Sequence, residues 1–326
     1  MRHLLASLIL MTTAAIGDQE PPKPVFQGDF FGEMARAFGV VVAGNEKERT
    51  LTVKLDRDGK VVQVPVKDDT ELHFRDSWGE LSDYFPGLHV MLFMYVDDDK
   101  NWTYPRAIQD DIHMWARHGH FAKILKIDRD ARTCSTQRQE KDNKGNVTKT
   151  VDASFTYLPD AKVWKSKAPE GVAALREGDE VITQLVEREG KLVAAEILDR
   201  AGDDAVRAAQ DERHLQDEDK KGLPAYVTDV EVLAGSLVAT VAWSSSQRAK
   251  KELKPGLTLT IVPTGGKAFA AAVCSLQGVD SRQRVQFAIN ARVANRLAPG
   301  QSLRIFLPGT GPAVPEGRAG LPTPKK

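Results

Sequence analysis

A short phrase recurs four times along the chain, and more than any other feature it limits the folds open to this sequence. A leucine is followed by a few turn residues, a glycine, and then an apolar-alternating run. The copies are Leu81 to Gly87 before Leu88–Leu92, Leu175 to Gly178 before Val181–Leu185, Leu253 to Gly256 before Leu257–Ile261, and Leu297 to Gly300 before Leu303–Ile305. Glycine enters positive φ at no steric cost, so a glycine placed ahead of a period-2 run marks a turn that opens a strand. Four such turns predict a mostly β protein of repeated small domains. The phrase is architectural and carries no reaction chemistry.

Around these turns the chain divides into modules. In the first, residues 39–112, Thr50–Leu55 alternates apolar and polar, Asp56–Lys60 is a hairpin turn, and Val62–Val66 returns with Pro65 marking an edge or a bulge. A helical piece is predicted around Ser77–Tyr84. The strand Leu88–Val96 then turns at Asp97–Asn101 and comes back through Ala107 and Ile108. The second module, residues 113–198, repeats the order with strands at Phe121–Ile127 and Val147–Tyr157, a turn at Gly171–Leu175 and a closing hairpin at Val181–Leu198. Five strands and one helical insertion is the count of a small OB-like barrel.

Residues 199–222 carry aspartates in front, lysines behind and Gly222 beyond, the pattern of a capped helix aligned with its dipole. Its apolar residues (Ala205, Val206, Ala208, Ala209, Leu215) make only a thin stripe, which predicts a mostly solvated linker. Residues 223–312 are β-rich and doubled: Val238–Trp243 before Pro255-Gly256 parallels Val285–Ile289 before Pro299-Gly300. That predicts a β-sandwich or barrel with internal pseudo-symmetry. Residues 313–326, rich in Gly and Pro, read as a disordered tail.

The first residues read as a signal peptide over 1–17: Arg2 and His3, an apolar stretch from Leu4 to Ile16, and small residues before Asp18. Pro21, Pro22 and Pro24 then suggest an extended tether with a short helix over 18–38. Export, to the periplasm or beyond, is the expected localisation. Lys and Arg number 45 and Asp and Glu 45, a balance that argues against non-specific nucleic-acid binding. No later segment offers the roughly 20 apolar residues a spanning helix needs.

The modules resemble a bacterial exported domain family of unknown function with an OB-like small-barrel fold. The resemblance rests on Gly39-Val40-Val41, Leu51-Thr52-Val53, Gly59, Val62-Gln63-Val64 and Asp69-Thr70-Glu71-Leu72 in the first module. In the second it rests on Leu175, Gly178-Asp179-Glu180-Val181 and Ala195-Glu196-Ile197. Leu88 and His89 depart from the family pattern, which has Asp there. The resemblance implies fold and export and assigns no functional residue.

Candidate chemistry is sparse. His118 and His120 at i and i+2 on a strand would share a face, and His113 could join them across a turn as a zinc or copper set. Asp97, Asp99 and Asn101 copy half of a calcium loop, but Trp102 and Ile108 stand where glycine and glutamate are needed, so an acidic hairpin tip is the better reading. Ser244-Ser245-Ser246 lacks a nucleophile-elbow context, and Thr264-Gly265-Gly266-Lys267 lacks phosphate-loop spacing and reads as a hairpin turn. Trp78, Tyr84, Trp102, Tyr104 and Trp115 concentrate in and beside the first module, where core and inter-module packing is the favoured reading and a stacking platform would suit a sugar or a single-stranded polymer. Cys134 and Cys274 are the two cysteines, and a disulfide between them would clip two domains together. The expected function is a non-enzymatic, cofactor-free binding or scaffolding protein of the cell envelope, its partner an envelope protein or polysaccharide. The alternative is a metal-dependent envelope enzyme using His113, His118 and His120.

Overall fold

The computed structural model describes residues 34–99, 101–141, 147–279 and 282–313. The signal-peptide reading, the tether before Met34 and the tail beyond Ala313 lie outside them. The fold is mostly β, in three multi-strand sheets joined by helices; the third sheet is a closed barrel and the first two curl into barrels by their strand orders.

The first barrel comprises β1 (Ala35–Asn45), β2 (Thr50–Leu55), β3 (Val61–Pro65), β4 (Glu71–Phe74), β5 (Ser77–Trp78), β6 (His89–Val96) and β7 (Trp102–Asp110). Its order is β3-β2-β1-β6-β7-β4-β5, all antiparallel except that β4 runs parallel to β7. Pro65 has no N–H for a ladder, and the strand breaks there: β3 and β4 are two halves of one strand divided at residues 66–70. β1 begins at Ala35, inside the stretch expected to be tether and helix, because its large residue Phe38 points outward while Ala35 and Ala37 face in. A helix of six residues, α1 (Asp111–Ala116), leads on, capped by the Asp110 carboxylate, which accepts from the His113 amide at 2.8 Å.

The second barrel has β8 (Ala122–Asp128), β9 (Thr133–Lys141), β10 (Val147–Trp164), the two-residue β11 (Pro169–Glu170), β12 (Glu180–Arg188) and β13 (Lys191–Leu198). Its ring runs β8-β9-β10-β13-β12 and back to β8, with β10 parallel to β13. Apart from the divided strand, this is the order of the first barrel. After α2 (Arg200–Lys221) come β14 (Leu223–Glu231), β15 (Ser236–Val241), α3 (Ser246–Glu252), β16 (Thr258–Pro263), β17 (Phe269–Val279), β18 (Arg282–Ala288), α4 (Ala291–Ala294) and β19 (Ser302–Phe306). These strands close a six-stranded barrel, β14-β15-β18-β17-β16-β19. Its halves are two strand-strand-helix-strand units, and β15 pairs with its counterpart β18 as β16 does with β19. The doubling is therefore a pseudo-twofold closed barrel and not a sandwich.

The four glycine turns now acquire a common function. Gly87, Gly178, Gly256 and Gly300 all have positive φ, from 82° to 94°. Each donates its N–H to a residue on a strand that opens a barrel or half-barrel: Gly87 to Val41 of β1, Gly178 to Ile124 of β8 and, crosswise between the halves of the third barrel, Gly256 to Val273 of β17 and Gly300 to Val227 of β14. That same residue donates back to the carbonyl of the residue after the glycine, at Leu88, Asp179, Leu257 and Gln301. In every case the clamped residue is buried, and the register of its strand shifts immediately beyond it. The repeated phrase thus clamps a β-bulge, the device that bends a strand enough to close a small barrel.

Helix α2 corrects the expectation of a mostly solvated linker. Gly202, Asp203, Val206, Gln210, His214 and Glu218 form a buried stripe at helical spacing. It is polar, so apolar periodicity could not show it. The helix and its cap touch all three barrels: Gln210 donates to the Trp78 carbonyl (2.7 Å), the amide of the capping Asp199 donates to the Trp164 carbonyl (3.1 Å), and Arg248 of α3 grips Glu218 (3.2 Å) and Asp219. Gly202 lies directly against the Trp164 carbonyl, where a Cβ would overlap it. Gly202→Ala should therefore cost about 2 kcal/mol, although alanine ordinarily favours a helix over glycine. Gly178→Ala, in open space but at φ 94°, should cost about 1–2 kcal/mol from backbone strain. Gly171→Ala, in open space at an ordinary φ of −82°, should change stability by less than about 0.5 kcal/mol. Urea denaturation of the three variants checks the ranking.

Candidate functional site

The junction of the first two barrels is a buried ladder of charged groups. His89, the first residue of β6, donates through Nδ1 to the Asp111 carboxylate (2.7 Å) and through Nε2 to Asp56 (2.9 Å). Asp111 is 2% exposed and accepts the Leu185 amide of the second barrel (2.9 Å) and Gln184 Nε2 (3.3 Å). Burial disfavours the His89 imidazolium, but the hydrogen bonds and charges of Asp111 and Asp56 outweigh it and hold the ring up to about 9. Backbone completes the seam: the Glu187 amide donates to the Gly87 carbonyl (2.7 Å), and Lys54 pairs with Glu187. Beside it, Arg75 donates to Glu196 (2.6 Å), whose second oxygen accepts from Trp164 Nε1 (3.1 Å).

Asp56 is where this ladder reaches the surface, in a groove of about 420 Å³ on the first barrel. β1 contributes Arg36 and Phe38, the end of β2 contributes Leu55, and the turn beyond contributes Asp56 and Arg57. Trp102, which opens β7, completes the wall. The Asp56 amide donates to the Phe38 carbonyl (3.0 Å), so both sides of the groove are tied by backbone. Phe38 is 41% exposed and lies nearly parallel to the His89 ring, centroids 6.0 Å apart. The Arg36 guanidinium sits over Phe93 (5.4 Å) and has no hydrogen bond or ion pair among the described residues.

The expected platform aromatics do not share a face. Only Trp102 lines this groove. Trp78 stacks on His73 (4.5 Å) and lines a separate cleft of about 70 Å³ between the first and third barrels. Tyr84 is a core residue whose hydroxyl donates to the carbonyls of His73 and Ile108 (2.9 Å each). Tyr104 leans on Tyr95 and hydrogen-bonds Asp69 (3.3 Å), and Trp115 lies under the Arg138 guanidinium (4.9 Å).

The three histidines of the metal expectation are likewise separated by their surroundings. His113 is buried on α1, stacked on His73 (4.1 Å), and burial drives its pKa down to about 2, so the ring is neutral. His118 and His120 flank the Gly119 turn after the helix and not a strand, their centroids 5.4 Å apart. No cluster of three or more His, Cys, Asp or Glu among the described residues is placed to hold a metal ion. Both cysteines are free thiols: Cys134 faces the core of the second barrel, while Cys274 is the bulged residue of β17 in the third. Asp97 is consumed by its own hairpin, accepting from the Asn101 amide (2.8 Å). Residues 264–267 form the β16–β17 turn, as the sequence suggests. What sequence reasoning missed is Arg36, Phe38 and Asp56; the one signal was that His89 departs from the pattern of the family the module resembles.

The ladder makes stability depend on pH in a definite direction. His89 is raised from 6.5 to about 9, so its stabilisation is complete below pH 6.5 and is lost as pH rises through 9. Asp110, pushed up by burial to about 7 despite the His113 and Arg75 amides, and Asp203, pushed up by burial and by Asp76 to about 6, favour the protonated form in the folded state. Their effect is also lost with rising pH, through 6 to 7. Unfolding free energy should fall as pH rises from about 6 to about 9.5, His89 accounting for about 3 kcal/mol. Urea titrations across that range should show the slope, and His89→Gln should flatten its upper part.

Set against known proteins, the chain matches no family model and no curated protein.

Proposed function

We propose that this chain is a non-enzymatic, exported binding protein of the cell envelope that holds a polysaccharide in the groove of its first barrel. The observation that carries the reading is the groove itself, whose roughly 420 Å³ falls in the range of small-molecule sites. Its walls are two aromatic side chains and its one carboxylate, Asp56, is fixed from behind by His89. Apolar ring faces beside a few pre-positioned polar groups suit a sugar, which has C–H faces and a hydroxyl rim. The chemistry favours binding over acid–base catalysis. His89 donates both ring N–H groups to carboxylates and offers no lone pair to a substrate. Bracing by α1 and α2 supports a scaffold that presents the groove in a fixed orientation. Export rests on the basic and apolar pattern of residues 1–17.

The groove reading distinguishes two tryptophans that composition alone would treat alike. Trp102→Ala should weaken binding on a glycan array or in an envelope pull-down by tenfold or more, the order of one base- or ring-stacking contact at about 1–3 kcal/mol. Trp115→Ala, beneath Arg138, should leave it unchanged. Equal retention by wild type and Trp102→Ala, with both folded by circular dichroism, would remove the groove from consideration.

A further inference from the structure

We infer that the groove selects a sugar unit bearing a carboxylate, a uronic-acid residue of an anionic polysaccharide, over a neutral sugar. The inference rests on the polysaccharide reading and adds the charge of the ligand.

Three observations carry it. Arg36 lines the groove with its guanidinium over the Phe93 ring and free of hydrogen bonds and ion pairs among the described residues. A guanidinium fork is built for a planar carboxylate, which it binds through two parallel hydrogen bonds. Arg57 lies on the same rim, its one hydrogen-bond and ion-pair partner among the described residues being the neighbouring Asp58 at 3.3 Å on an exposed surface, a contact that a ligand readily replaces. The third is Asp56. Its Oδ2 is committed to the His89 imidazolium (2.9 Å), which it shares with Asp111 and which offsets its charge in part, and Oδ1 is left to accept from a sugar hydroxyl. A site with two guanidinium groups, one carboxylate whose charge is partly offset and two aromatic faces matches a monoanionic, hydroxyl-bearing ring at each point. A neutral sugar would leave Arg36 desolvated without a partner. A dianionic phosphate would meet Asp56, with Asp111 behind it, at close range.

Titration of the full chain, followed by tryptophan fluorescence, tests this with three probes: galacturonic-acid oligomers, glucose oligomers of the same length and inorganic phosphate. The acidic oligomer should bind about tenfold more tightly than the neutral one at low salt, and the margin should shrink as salt is added. Arg36→Gln should remove the margin between acidic and neutral oligomers. Trp102→Ala should weaken both sugars. Equal affinity for acidic and neutral oligomers would overturn the charge assignment and leave the groove reading standing. Binding of neither sugar would overturn both. A margin that survives Arg36→Gln and Arg57→Gln together, or phosphate binding more tightly than the acidic oligomer, would also overturn the assignment.

Discussion

The hydrogen-bond pair between a turn glycine and a bulged first strand is the constraint on which the remaining architecture rests. A five- or six-stranded barrel is too narrow for evenly pleated strands, and the first strand must bend sharply to meet both neighbours. A bulge supplies the bend but leaves a backbone N–H and C=O out of the ladder. At Val41, Ile124, Val227 and Val273 those groups are taken up by the glycine turn that starts a distant strand. The clamped residue stays fully buried while the next one, such as Val42 or Leu125, is turned out to solvent. Positive φ at the glycine aims its N–H at that point, which is why the phrase could not recur with another residue in its place.

With the barrels closed, their mutual arrangement falls to polar groups. The apolar cluster at the junction is small, centred on Ile112, Phe121, Ile182, Leu198 and Val206. Around it the joints are carboxylates meeting His89, Arg75, Arg248 and main-chain amides. Such contacts add little net stability compared with apolar packing, yet removing one partner strands a buried charge at a cost of several kcal/mol. They therefore select one docking geometry among those that apolar surfaces alone would allow.

This division explains what could be read in advance. Barrel count, helical insertions and the doubling of the last region follow from glycine placement and alternation, both local properties. The α2 stripe escaped because Asp203, Gln210, His214 and Glu218 look solvated until three barrels surround them. The start of β1 escaped because its pattern is inverted, small residues inside and Arg36 and Phe38 outside. That inversion is also what furnishes the groove, so the local rule failed at the place where Arg36 and Phe38 line its wall. Trp102 was legible as an aromatic candidate, but Tyr84 was not separable from it by composition: one ring is on a surface wall, the other in the core. Asp56 read as an ordinary turn residue, since its partner His89 lies far along the chain.

Asp56 also gives the molecule a property that neither barrel has alone. Its carboxylate faces the groove on one side, and on the other begins the sequence His89, Asp111, Leu185 that ends on a backbone amide of the second barrel. A ligand that draws on Asp56 changes the charge available to His89, and hence to the contact with the second barrel. Linkage would make this reciprocal: the factor by which such a ligand changed the docking of the second barrel would be the factor by which docking changed the ligand's affinity. For any ligand held at Asp56, the second barrel would then act at a distance through one shared proton donor, His89.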